Sequence, residues 1–231
     1  MKKTITLLIF MLNLLYSGTV LAQVPIVTYN YPSLDDGFHF KVTTTTANET
    51  FTIPTNGTGY NYLVYWGDGG YPIEYSGNVT HTFTNAGTYL VELVPYNFTV
   101  TYSNVGTTLY ETWNPDWTGF PGIYFNNTGD KDKIVSIEQW GNGIWSKMEN
   151  AFYGCSNMVN NATDTPAEIL NSMQNIFKDA SQFDVNLGNW PVANYVTNLT
   201  DALSYSGVSI TNYDSTLIGW ASQNINTGLN L

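Results

Sequence analysis

Three stretches of the chain repeat one another: MENAFYGCSNM (148–158), MQNIFKDASQF (173–183) and LTDALSYSGVS (199–209). Their opening apolar anchors, Met148, Met173 and Leu199, stand 25 and 26 residues apart. Four positions on come Phe152, Phe177 and Leu203, and seven positions on the small Cys155, Ala180 and Ser206. A tryptophan precedes two of the units, Trp140 in IEQWGNG and Trp190 in LGNWPVA. A unit of this length cannot bury its apolar face alone, so a period in the twenties forces neighbours to stack. The anchor-and-four spacing predicts a short helical turn in each unit, with a strand over Val192 to Val196 ahead of the third.

The first half carries a period of two. FHFKVTTTT, ETFTIPT, NYLVYW and TYLVELV read as strands, parted by the turn segments NGTG, GDGG and NAG. Alternation puts Tyr62, Val64 and Trp66 on one face, and Tyr89, Val91 and Leu93 on one face with Glu92 opposite. Short strands with regular turns predict a sandwich. In YWGDGG (65–70), glycines supply positive φ while Asp68 bonds nearby backbone N–H groups, so the loop reads as a turn. A phosphate loop would need a lysine and a following helix, and calcium would need several clustered oxygens. His81 reads as a strand-start residue bonded to backbone.

The N-terminus, MKKTITLLIFMLNLLYSGTVLAQ, has the layout of a bacterial-type secretory signal over residues 1–22. Two lysines lead an apolar core that is short for a membrane span, and the mature chain is expected to begin near Gln23. Losing Lys2 and Lys3 takes the net charge from −11 to −13. With that charge and no arginine, nucleic acid is excluded as a partner. No later apolar run is long enough to span a membrane. Cys155 is the one cysteine, so no internal disulfide forms, and with His39 and His81 it makes no zinc cage. Its place at a small repeated position makes it a buried hydrophobe.

YLVYWGDGG followed by THTFTNAGTYLVEL resembles the PKD-type, immunoglobulin-like domain, with Ala86 where that family usually has proline. The repeats resemble the BspA-family leucine-rich-repeat surface proteins of bacteria, whose units MQNIFKDASQFDVNLGNWPVANYVTNL follows closely. Pro191 stands where that family has Asp. The family's arrays usually continue past the point reached by NYDSTLIGWASQNINTGLNL, so this array reads as a shortened one. The two resemblances cover nearly all of residues 38–231. They imply a mainly β fold: a PKD-like immunoglobulin-type β-sandwich over 38–95, an aromatic insertion and linking segment over 96–133, and a β/α leucine-rich-repeat-like solenoid over 134–231.

No carboxylate pair or Ser–His–acid set is marked by spacing, and no catalytic, cofactor-binding or metal-ligating residue is assigned. The segment TLYETWNPDWTGFPGIY (108–124) is rich in aromatics. Tyr110, Trp113 and Trp117 are its candidate ligand-binding residues, since flat aromatic faces stack on sugar rings. The competing reading has them plug a joint between domains. The resemblance implies a secreted or cell-surface, non-catalytic adhesion protein, its repeats presented to an extracellular protein or glycan. The alternatives are a carbohydrate-binding accessory module built on 108–124, a structural spacer, and an enzyme with an unmarked acid pair.

Overall fold

The computed structural model describes residues 4–7, 26–30, 37–57, 61–95, 99–104, 107–112, 122–193, 195–226 and 228–229. The protein is mainly β, with one α-helix among the described residues, Ile210–Ala221 (α1). It divides into two compact units.

The smaller unit takes Met1–Ser33 and Tyr96–Asp116. Its strands form one antiparallel sheet in the order Thr4–Leu7, Ile26–Asn30, Thr99–Asn104, Thr107–Thr112. Residues 4–7 come from the stretch read as a leader. The segment 96–133, read as one insertion, is shared: 96–116 belongs here and 117–133 to the larger unit.

The larger unit takes Leu34–Pro95 and Trp117–Leu231. A six-stranded sheet runs Val159–Asn160, Ile134–Gln139, Phe38–Thr44, Gly87–Pro95, Tyr62–Tyr65, Ile73–Tyr75. Glu49–Ile53 and Val79–Phe83 pair as a second, two-stranded sheet. Alternation explains the faces. Phe38, Phe40 and Val42 are buried, as are Phe51 and Ile53, and the Phe40 and Phe51 rings meet at 6.0 Å. Tyr62, Val64 and Trp66 are buried together as the period of two requires. Outward threonines pair across strands, Thr43 with Thr88 and Thr52 with Thr80, each at 2.9 Å.

The sheet does not stop where the repeats begin. Ile134–Gln139 lies antiparallel to Phe38–Thr44, and Val159–Asn160 adds parallel to it. Phe38 touches Trp140 at 5.5 Å, Trp145 at 4.9 Å and Phe152 at 6.1 Å, so the strands and the repeated units share one core.

The repeated units lie against one another, joined by backbone bonds. The N–H groups of Asn150, Phe152 and Gly154 donate to the carbonyls of Gln174, Ile176 and Lys178. One unit further, Asn175, Phe177 and Asp179 donate to Thr200, Ala202 and Ser204. Thus positions two, four and six after each anchor donate to positions one, three and five of the next unit. Side chains copy the ladder: Asn175 Nδ2 donates to Asn150 Oδ1 at 2.8 Å, and Asn198 Nδ2 to Gln174 Oε1 at 3.0 Å. The Phe152 and Phe177 rings stack at 5.8 Å and 10°.

The coils are not helical turns. Asn150, Asn175 and Asp201 take φ of 55°, 54° and 56°, and Gly154, Asp179 and Tyr205 take 81°, 58° and 57°. Two left-handed residues per unit break any helix before a second i→i−4 bond forms. The strand expected over 192–196 is Val196–Asn198. A further coil, unmarked by the repeat pattern, precedes the three: Phe125, Asn126 and Asn127 donate to Ala151, Asn150 and Tyr153.

Candidate functional site

The Gly-Asp-Gly loop turns on Gly67 (φ 76°) and Gly69 (φ 94°), and Asp68 Oδ1 accepts weakly from the Gly70 N–H at 3.4 Å. The stronger partner of Asp68 is His81, whose Nε2 lies 2.7 Å from Oδ2. His81 therefore bonds a carboxylate, where the sequence reading gave it a backbone partner. Its ring stacks on Trp66 at 4.6 Å and 10° and meets Phe83 edge-on. The pair braces the turn against Val79–Phe83.

Cys155 is fully buried, and that burial pushes its thiol well above the ordinary range, against nucleophilic use. Among the described residues no group of three or more His, Cys, Asp or Glu side chains could hold a metal. No helix there is long and apolar enough to cross a membrane. Of the aromatic candidates, Tyr110 lies on Thr107–Thr112, opposite Thr101. Trp113 and Trp117 lie outside the described residues.

A polar cleft of about 300 Å³ opens beside the coils, lined by Asn56, Ser146, Lys147, Glu149, Asn171 and Ser172. The ladder builds it. Ser146 and Lys147 precede the anchor Met148, and Asn171 and Ser172 precede Met173, so the same outward positions of two units fall side by side. Asn171, at φ 68°, donates to the Ser146 carbonyl at 3.5 Å. Asn56 reaches the cleft because its N–H donates to the Gly122 carbonyl at 3.1 Å. Ser172 Oγ accepts from the Gln174 N–H at 3.1 Å. Among the described residues Glu149 accepts only from the Asn150 amide, at 3.5 Å.

One ammonium, one carboxylate, two amides and two hydroxyls thus converge with no net charge and no apolar side chain. Such walls suit a ligand rich in hydroxyl or amide groups. The repeat arithmetic contained the signal for this site, since the residues one and two before Met148 and Met173 are polar in both units. Only Asn56, brought in by the fold, had none. The chain matches no family model, no curated protein and no solved structure to which it was compared.

Proposed function

We propose that this is an exported, secreted or cell-surface protein that binds rather than catalyses, its stacked coils presenting a polar face to an extracellular protein or glycan. The observation that carries this reading is the cleft formed where outward positions of successive units line up beside Asn56. The two-layered strands with their Gly-Asp-Gly turn support a PKD-like sandwich, and the ladder of 24- to 26-residue steps supports a leucine-rich-repeat-like array behind it. Repetition of one surface pattern favours weak contacts made many times, which gain strength through avidity.

The test is a screen of the purified chain from Gln23 on, against glycan and extracellular-protein arrays, with Lys147→Ala and Asn171→Ala as variants. A hit lost in both variants while the circular dichroism stays native supports the cleft. Hits that both variants retain remove the cleft from the reading, and turnover abolished by one Asp or Glu change would replace it with an enzyme.

A further inference from the structure

The ladder that joins the coils ends unfinished. Positions two, four and six of the first unit donate to the second, and those of the second donate to the third. The corresponding N–H groups of the third unit belong to Asp201, Leu203 and Tyr205, and no acceptor bonds them among the described residues. Their own carbonyl rung is occupied: Thr200, Ala202 and Ser204 accept from the second coil. Asp201 and Tyr205 hold φ of 56° and 57°, the left-handed values of the paired units, so the edge is already shaped as a ladder side. Leu203 is 9% exposed and Tyr205 82%. The Asp201 carboxylate is turned aside, bonded to Lys178 at 2.7 Å and Ser204 at 2.9 Å, and does not cap these donors.

A row of unpaired backbone groups at a fixed two-residue step is a template for another chain. We infer that this edge docks a segment of another protein wound like the chain's own coils, whose carbonyls at alternate residues accept from Asp201, Leu203 and Tyr205 as a fourth rung. Two such edges face donor to donor and cannot bond each other. At the opposite end the Phe125 carbonyl accepts from the Thr128 N–H and hydroxyl, and the Phe125 ring lies against Phe51 of the two-stranded sheet. The segment must also tolerate the exposed Tyr205 ring, which favours an apolar or aromatic residue beside the last rung.

This inference does not depend on the cleft, and its test does not involve it. The amide exchange rates of the full chain are to be measured by NMR, alone and with a capped peptide MQNIFKDASQF, which carries the chain's own acceptor pattern. Alone, Asp201, Leu203 and Tyr205 are expected to exchange far faster than Asn175, Phe177 and Asp179. With the peptide at about ten times its Kd, their exchange should slow by about tenfold while the inner rungs hold. Three results would overturn the inference: equal protection of both rows without peptide, no slowing with it, or the same slowing with a scrambled peptide. Protection that rises with protein concentration alone would replace it with self-association.

Discussion

Glu49 is strongly altered by its surroundings. Its carboxyl is held down to about 2, first by the Thr45 N–H at 2.7 Å, then by the Lys133 ammonium at 3.1 Å and the Thr46 N–H at 3.2 Å. Lys133 also pairs with Asp130 at 2.9 Å, and Asp130 accepts from the Thr52 N–H at 2.8 Å. The cluster thus fastens 130–133 to Glu49–Ile53. A carboxyl more acidic in the folded than in the unfolded chain stabilises the fold above its ordinary pKa of 4.5, and the gain is lost as pH falls through about 2. In melting curves taken from pH 6 downward, Glu49→Gln should therefore melt below the wild type near neutrality. The gap should close between about pH 4.5 and 2. A gap that persists at pH 2 would mean that Glu49 acts through packing and not through charge.

At the scale of elements, Gly219 sets helix propensity against contact. Inside a helix, Gly→Ala ordinarily stabilises by ~1 kcal/mol. Here α1 crosses the loop at Gly188 so closely that a Cβ on Gly219 would strike the Gly188 backbone. That approach lets the Thr216 hydroxyl accept from the Leu187 N–H at 2.8 Å, with Thr216 fully buried. Backbone cannot yield as a flexible side chain can, so overpacking of roughly 1–3 kcal/mol wins over propensity. Gly219→Ala is expected to lower stability in urea titration, and a stabilised variant would show that the helix can shift.

Strands of period two were legible because alternation and burial are the same fact: Phe38–Thr44, Glu49–Ile53, Tyr62–Tyr65 and Gly87–Pro95 fall within a few residues of their expected bounds. The stacking of the units was legible from Met148, Met173 and Leu199. The shape of each coil was not, because the anchor-and-four spacing is shared by a helix and by a turn broken at left-handed residues. Asn150, Asn175 and Asp201 held the clue, since Asn and Asp tolerate that conformation better than other non-glycine residues. Ile134–Gln139 was read with the repeats because nothing local says which strand it will pair with. Helix α1 was missed because its outer positions are apolar, Ile210 at 81% and Ile218 at 73% exposed, which blurs the one-sided pattern of a surface helix.

For the molecule as a whole, the question is what holds the far end of the stack, and the answer is the segment after Gly219. Trp220 is buried and donates from Nε1 to the Leu187 carbonyl at 2.7 Å. Gln223 accepts from the Val192 N–H at 3.1 Å and donates to the carbonyls of Gly188 and Trp190 at 3.1 and 2.8 Å. Asn226 donates to the Val196 carbonyl at 2.8 Å. Removing residues 220–231 empties the Trp220 site, which costs about 3–5 kcal/mol. It also removes a side-chain bond from five backbone groups, of which the Leu187 and Trp190 carbonyls and the Val192 N–H keep a backbone partner; the cost is ~1–3 kcal/mol for each group left bare and buried. Against a total stability on the order of 5–15 kcal/mol, the truncated chain should melt far lower or aggregate on expression. Gln223→Ala separates the two effects, because it leaves Trp220 in place. A drop of a few kcal/mol in urea titration would assign the hold to the hydrogen bonds of the Leu187–Val192 loop. No drop would leave the burial of Trp220 as the whole of it, and an unchanged melting curve in the truncated chain would show that the third coil stands without the segment.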